Sequence, residues 1–78
     1  MANQVSGAAK AKVAELLTPR ELEVLVLLAQ GNRSKEIGRS LGIAEATVNK
    51  HAESLMCKLS ARSRAEAVAK YLRQLPVE

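Results

Sequence analysis

The sequence predicts one small all-α domain. The chain has 78 residues, enough for a single domain with a modest core. It contains one Tyr and no Phe or Trp, so Leu, Val and Ala must build that core, and this favours helices over a sheet. Apolar residues also recur at helical spacing. We predict four main helices, over residues 18–30, 35–41, 45–59 and 63–75. A short extra helix is predicted before them, over residues 8–16.

The N-terminal segment is expected to pack on the first main helix. Residues 1–16 are predicted as a partly disordered segment that contains the short helix, residues 17–75 as the domain, and residues 76–78 as a tail. Leu22 and Val26 lie one helical turn apart, on the side of the first main helix away from Val24 and Leu28. We expect this apolar pair to be covered by three residues of the segment and its junction: Val13, Leu16 and Leu17.

The first main helix carries clear signals at both ends. Thr18 can cap its N-terminus, Pro19 suits its first position, and Glu21 completes a capping box. Gly31 supplies the stop. The apolar residues between these signals cover most of the helix circumference, which is typical of a helix buried on several sides.

The longest helix is two-faced. Val48, Ala52, Leu55 and Leu59 recur every three or four residues and therefore share one face. The opposite face carries short or polar residues, namely Ala46, Asn49, Lys50, Glu53 and Cys57. One side is suited to packing and the other presents hydrogen-bonding groups on a straight rod. A helix of this width fits the DNA major groove.

A shorter helix precedes it, and the two form a helix-turn-helix pattern. Residues 31–34 form a loop, in which Asn32 or Ser34 is the candidate cap for a helix from Lys35 to Leu41. Gly42 then makes the turn into the longest helix. Any small helical bundle with a glycine turn also fits this pattern. Charge favours nucleic-acid binding, because residues 33–64 hold seven Lys or Arg against three Glu and so carry the whole net charge of +4.

The last helix has more apolar surface than a single core-facing stripe needs. Ser63 and Glu66 repeat the capping-box pattern at its start, and Pro76 follows its end. Its apolar residues span roughly 200° of the helix, at about 100° per residue. Val68, Tyr71 and Leu75 are assigned mainly to the core. We expect a second copy of the chain to cover the remaining edge, formed by Ala65, Ala69 and Leu72.

Composition argues against several other classes of protein. His51 and Cys57 are the only histidine and cysteine, and six residues of helix separate them, so they form no nucleophile–base pair. One cysteine allows neither an internal disulfide nor a zinc cluster, and no phosphate loop is present. We therefore expect no enzymatic activity, no cofactor and no metal. No apolar run is long enough to span a membrane and no signal peptide is apparent, so a cytoplasmic location is expected.

Several motifs occur together in a characteristic order. They are L-T-P-R-E at 17–21, S-K-E-I-G at 34–38, L-G-I-A-E-A-T-V at 41–48, His51, K-L at 58–59 and S-R-A-E-A-V at 63–68. Residues 17–75 resemble the LuxR/FixJ/NarL-type, GerE-like helix-turn-helix DNA-binding domain. The resemblance implies four helices, of which the third reads the major groove and the fourth forms a dimer. It further implies transcriptional control, double-stranded DNA as partner, and RNA polymerase or a larger regulator as further partners.

The resemblance also implies individual roles. Three residues of the longest helix occupy base-facing positions: Asn49, Lys50 and Glu53. Candidate contacts to the DNA backbone are Arg33, Ser34, Lys35, Thr47, Lys58, Arg62 and Arg64. A solvated surface charge is the alternative for each Lys or Arg.

This chain departs from the family pattern at three positions. Ala44 stands where the family often has a capping Ser, and losing such a cap costs about 1 kcal/mol. Asn49 stands where Lys is frequent. Glu53 brings a negative charge to the groove, although a glutamate can accept a hydrogen bond from cytosine N4.

Two other interpretations remain open at this point. A dimerising protein-interaction module that modulates a larger LuxR-type regulator would also explain a short domain with Glu53 on its outer face. Region 4 of an RNA-polymerase sigma factor shares the helix-turn-helix chemistry. His51 and the S-R-A-E-A-V motif favour the LuxR-type interpretation.

Overall fold

The computed structural model describes residues 12–74, and within that range the chain is helical with no strand. The five helices of this range are α1 (Val13–Leu16), α2 (Pro19–Ala29), α3 (Ser34–Leu41), α4 (Glu45–Lys58) and α5 (Arg64–Arg73). This confirms the predicted all-α class. The predictions for residues 1–11 and 75–78, which include the role of Leu75, lie outside the described residues.

The predicted start and stop of α2 are confirmed. The Thr18 hydroxyl accepts from the Glu21 backbone N–H at 3.1 Å, and Glu21 Oε1 accepts from the Thr18 N–H at 2.9 Å, which completes the capping box. Gly31 follows the helix with φ of +94°, a left-handed conformation that glycine adopts without strain. Val24 and Leu25 are fully buried at the centre of the helix.

The start of α3 differs from the prediction. Arg33 is the N-cap and Ser34 is the first helical residue, whereas the sequence pattern indicated Asn32 or Ser34 as the cap and Lys35 as the start. Glu36 Oε1 accepts from the Arg33 backbone N–H at 2.7 Å, so this end is satisfied without a capping hydroxyl. Asn32 instead donates its side-chain N–H to the carbonyl of Leu27 at 3.0 Å.

The turn between α3 and α4 explains Gly38. A Cβ at this position would lie 2.7 Å from the carbonyl oxygen of Ile43, closer than any real Cβ contact. Gly42 has φ of +71° and caps α3, which lets the chain turn back at once. Ala44 is the N-cap of α4 and makes no side-chain capping hydrogen bond, as its methyl group requires. The glycine at position 38 is therefore required by close packing of α3 against the turn.

The inner face of α4 forms the centre of the core. Val48, Ala52 and Leu55 are fully buried and Leu59 nearly so, which confirms the predicted packing face. The helix packs against α2 and α3, and α5 packs mainly on α2. Since α2 and α3 fix its inner side, the outer side of α4 has a defined orientation toward solvent.

The N-terminal segment packs elsewhere than predicted. Val13 and Leu17 are buried in the core, but Leu16 is 45% exposed. The Val13 backbone N–H donates to the side-chain oxygen of Gln74, so the segment reaches the far end of α5. Among residues 12–74, the face that it was expected to cover is instead an open apolar groove of about 370 Å³, lined by Leu22, Glu23, Val26, Leu27 and Leu41.

The last helix begins as predicted and ends earlier. Ser63 caps α5 by accepting from the Glu66 N–H at 3.1 Å, while Glu66 Oε1 accepts from the N–H of Arg62 and not from that of Ser63. The helix ends at Arg73, two residues before the expected Leu75. Within residues 12–74, no helix has the length and apolar character needed to cross a membrane.

Candidate nucleic-acid interface

The outer face of α4 is free and polar. Thr47, Lys50 and Glu53 are exposed, and Asn49 is half-buried at the edge of this face. Lys50 and Glu53 are three residues apart on a helix, so their side chains are neighbours. Two of the three predicted base-facing residues are thus exposed, while the third hydrogen-bonds to other helices of the protein.

Asn49 belongs to a polar cluster that joins three helices, which we call the Ser34–Asn49–Arg64 cluster. Asn49 Oδ1 accepts from the Ser34 hydroxyl at 2.6 Å and from Arg64 Nη2 at 2.8 Å. Arg64 Nη1 donates to the Ser34 Oγ at 2.6 Å. The structure therefore brings together one predicted base-facing residue and two predicted backbone-contacting residues.

This cluster keeps a net positive charge. Both acceptors of the Arg64 guanidinium are neutral, and none of the ion pairs in residues 12–74 includes Arg64. Ser34 and Arg64 are also the first residues of α3 and α5, so the positive ends of two helix dipoles lie at the cluster. An anion placed beside it would be stabilised by the guanidinium and by both helix ends.

A second polar cluster lies on the opposite flank of α4, which we call the Glu21–Ser54–Lys58 cluster. Glu21 is only 5% exposed, and its carboxylate accepts from the Ser54 hydroxyl at 2.6 Å and from Lys58 Nζ at 2.8 Å. Burial alone would raise the pKa of Glu21. The hydrogen bonds from Lys58, Ser54 and the Thr18 backbone N–H outweigh burial, and the pKa falls from the ordinary 4.5 to about 2.

The ion pair in this cluster changes the expected role of Lys58. Its side chain is 39% exposed, so the ammonium group can be reached from solvent. The adjacent carboxylate neutralises much of the field that this ammonium group would offer to a phosphate. Lys58 therefore offers less net positive charge to an outside anion than an unpaired lysine would, and its ion pair also stabilises the fold.

The remaining predicted backbone-contacting residues lie at the surface. Arg33, Lys35 and Arg62 are exposed, and none of them is in an ion pair within the described range. Arg33 precedes α3 and Arg62 lies two residues before Arg64, so both flank the Ser34–Asn49–Arg64 cluster along the chain. Exposed cations near one end of a two-faced helix form a surface suited to a polyanion.

The family model of the bacterial regulatory proteins of the luxR family matches residues 15–71, which is most of the chain. The chain belongs to this family. The resemblance predicted from the ordered motifs is confirmed.

Individual relatives show how much of a luxR-family protein this chain represents. It is 48% identical over 59 residues to the nitrate/nitrite response regulator protein NarP of Escherichia coli (strain K12), covering 76% of this chain and 27% of NarP. It is 44% identical over 63 residues to the spore germination protein GerE of Bacillus subtilis (strain 168), covering 81% of this chain and 85% of GerE. The transcriptional regulatory protein LiaR of the same strain is 45% identical over 53 residues, covering 68% of this chain and 25% of LiaR. The chain thus spans about a quarter of NarP or LiaR but most of GerE.

The outer edge of α5 is exposed as the dimer hypothesis requires. Ala65, Ala69 and Leu72 share one face, and Leu72 is 49% exposed. Ala67 is fully buried against the rest of this luxR-family domain, and Val68 and Tyr71 are half-buried. The buried and exposed faces of α5 are therefore those that the sequence predicts. The pairing of two copies stays a prediction.

Two features that position α4 were missed by the sequence interpretation. Lys70 Nζ donates to the carbonyl oxygens of Leu59 at 2.8 Å and Ser60 at 3.3 Å, which ties the turn that follows α4 to α5. The interactions of Glu21 with Ser54 and Lys58 were also missed, because the capping-box pattern by itself accounts for a glutamate at this position. The available signal was the spacing of Ser54 and Lys58, which are four apart and therefore share one flank of α4.

Proposed function

We propose that this chain binds double-stranded DNA sequence-specifically, with α4 in the major groove, as a transcriptional regulator or as the output domain of one. The observation that carries the proposal is the polar outer face of α4, held at a fixed orientation by packing on α2 and α3. Membership of the luxR family supports it, as do the words response regulator and transcriptional regulatory protein in the names of NarP and LiaR. Such a protein acts where bacterial DNA is, in the cytoplasm.

Base recognition is assigned to Asn49, Lys50 and Glu53. Lys50 can donate to guanine O6 and N7, and Glu53 can accept from cytosine N4. Because both side chains are exposed and adjacent, they can reach neighbouring base pairs. Contacts to the phosphate backbone are assigned to polar or charged residues around α4, with a smaller share for Lys58; they are Arg33, Ser34, Lys35, Thr47, Arg62 and Arg64. These contacts set affinity and register but carry no base information.

Selection of bound duplexes from a random library tests the proposal. Purified chain should enrich one motif, and affinity for that motif should fall steeply as salt concentration rises. Lys35→Ala should weaken binding to all sequences alike and reduce the salt slope by about one, since it removes one phosphate contact. Enrichment of no motif would contradict sequence-specific binding.

We further propose that two copies bind one operator through the Ala65–Ala69–Leu72 edge. Two-fold pairing places half-sites about 10 bp apart, centre to centre. Sedimentation of the complex should give two chains for each full operator, and Leu72→Glu should reduce this to one. Leu16→Glu is the matched control, because Leu16 is equally exposed but lies on α1. One copy of the unmodified chain on a full operator would contradict pairing.

A second candidate function is an interaction module that binds a larger luxR-family regulator. The open groove beside Leu22 and Val26 favours it, since apolar surface of this kind is a common feature of protein-binding sites. Glu53 distinguishes the two functions. Glu53→Ala should relax one position of the selected motif if the chain reads DNA. If that variant only tightened binding and left the motif unchanged, the interaction module would be favoured.

A further inference from the structure

The carboxamide of Asn49 has a fixed orientation. The guanidinium of Arg64 carries only donors, so the Asn49 atom that faces it must be the acceptor oxygen and not the nitrogen. The Ser34 hydroxyl donates to that same oxygen. Two donors at 2.6 and 2.8 Å occupy both lone pairs of Oδ1, and rotation of the amide by 180° would turn its N–H groups toward the N–H groups of Arg64.

The nitrogen of this amide remains available. Within residues 12–74, Asn49 Nδ2 has no hydrogen-bond acceptor, and no buried side-chain nitrogen or oxygen in that range lacks a partner. Nδ2 is therefore accessible to solvent. Asn49 lies at the edge of the outer face that also carries Lys50 and Glu53. The side chain thus offers two N–H donors and no acceptor.

An Asn side chain that offers only donors recognises a different base from one that offers both a donor and an acceptor. A free Asn pairs with adenine by accepting from N6 and donating to N7, which requires its oxygen. Guanine presents two acceptors, N7 and O6, and needs donors alone. On the basis of the proposed DNA binding, we propose that Asn49 selects guanine over adenine at one base pair, and that Ser34 and Arg64 are positioning residues that impose this choice.

The proposal gives different expectations for two substitutions. Asn49→Asp preserves the inward oxygen and its bonds to Arg64 and Ser34, but it replaces the outward donors by an acceptor. The preferred base pair should then invert from G·C to C·G, because cytosine N4 is a donor. Arg64→Met removes the partner that carries only donors. The Ser34 hydroxyl that remains can accept as well as donate, so the amide can rotate and present its oxygen. Adenine should then be tolerated at the same position.

The test is selection of bound duplexes with the full chain, followed by relative affinities for the four base pairs at the position that Asn49→Ala makes indifferent. We expect the unmodified chain to favour G·C over A·T about tenfold, Asn49→Asp to favour C·G, and Arg64→Met to lose most of the G·C preference. Arg62→Met is the control, since it removes an exposed arginine two residues away. It should lower affinity for all sequences and leave the motif unchanged.

Two results would overturn the proposal while leaving DNA binding intact: a motif that no Asn49 substitution alters, or an A·T pair at the Asn49-dependent position of the unmodified chain. A persistent G·C preference in Asn49→Asp would also overturn it, even if Arg64→Met failed to fold. Absence of any motif would contradict sequence-specific binding itself, and the inference with it.

Discussion

The two polar clusters on the flanks of α4 have similar sizes and opposite consequences. In the Glu21–Ser54–Lys58 cluster, a buried carboxylate meets an ammonium group, so the positive charge is largely neutralised within the fold. In the Ser34–Asn49–Arg64 cluster, a guanidinium meets two neutral oxygens, so its charge stays available to an outside anion. The same helix is therefore held on one flank by a contact that serves stability and on the other by a contact that can also serve binding.

The difference arises from the acceptor that each cation meets. A buried carboxylate needs a cation nearby. Removing the carboxylate leaves the cation and the hydroxyl of the cluster without their partner. An amide oxygen and a hydroxyl can accept from a charged or an uncharged donor, and they do not neutralise the charge of a cationic donor. A count of basic residues treats Lys58 and Arg64 alike, although only one of them retains most of its charge for a ligand.

The largest expected loss of stability comes from a substitution in the Glu21–Ser54–Lys58 cluster. Glu21→Gln keeps the capping hydrogen bond to Thr18 but removes the ion pair with Lys58. Breaking a fully buried pair costs about 3–5 kcal/mol. Lys58 is 39% exposed and can be hydrated, so we expect the free energy of unfolding to fall by about 2 kcal/mol in urea denaturation. Glu23→Gln, which removes the exposed pair with Arg20, is the control and should cost less than about 0.5 kcal/mol. Equal losses of unfolding free energy in Glu21→Gln and Glu23→Gln would contradict the greater importance of the buried ion pair.

The same cluster should make stability sensitive to acid. The folded pKa of Glu21, about 2, lies below its ordinary value of 4.5, so the folded state binds this proton less tightly than the unfolded state does. Its contribution is fully present above about pH 5 and is lost as the pH falls from there toward 2. After allowance for the hydration of Lys58, we expect a loss on the order of 2 kcal/mol, since one pKa unit corresponds to about 1.4 kcal/mol.

Urea denaturation of the unmodified chain and of Glu21→Gln at a series of pH values measures this contribution. The difference between the two unfolding free energies should be constant above pH 5 and should shrink steadily below it. A difference that stayed constant down to pH 2.5 would show that Glu21 is not held as an anion by these contacts.

The two serines give a smaller and more direct comparison. Ser54→Ala removes one of the donors to a buried carboxylate and should cost about 1.5 kcal/mol, since hydrogen bonds to charged groups are the stronger ones. Ser34→Ala leaves Asn49 Oδ1 with its donor from Arg64 and should cost about 0.5–1 kcal/mol. Thermal melts of both variants at neutral pH decide the order. A larger loss for Ser34→Ala would mean that the Ser34–Asn49–Arg64 cluster contributes more to stability than the Glu21–Ser54–Lys58 cluster.

Local signals in the sequence were sufficient for much of the fold. Thr18, Pro19, Glu21 and Gly31 fixed the ends of α2 because capping hydrogen bonds join residues a few positions apart. The packing face of α4 followed from spacing alone. The start of α3 was wrong by one residue, because Arg33 needs no capping side chain when Glu36 reaches back to its N–H.

Long-range contacts account for the rest. The N-terminal segment was assigned to Leu22 and Val26 on apolar complementarity, but its hydrogen bond joins Val13 to Gln74, 61 residues away. The partners of Glu21 lie 33 and 37 residues along the chain. The candidate site residues were identified as a set, yet the sequence could not indicate that Asn49, Ser34 and Arg64 bind one another. Nor could it indicate that Lys58 is paired.

The salt dependence of DNA affinity for Lys58→Met and Arg64→Met tests the division between the two clusters most directly. Each variant removes one cation and keeps a long side chain, and both are measured on the selected operator below their melting temperatures. We predict that Arg64→Met reduces the salt slope by about one, as expected for one lost phosphate contact. Lys58→Met should leave the slope nearly unchanged, because its charge is already balanced by Glu21. An equal loss of slope in both variants, or a larger one in Lys58→Met, would contradict the account.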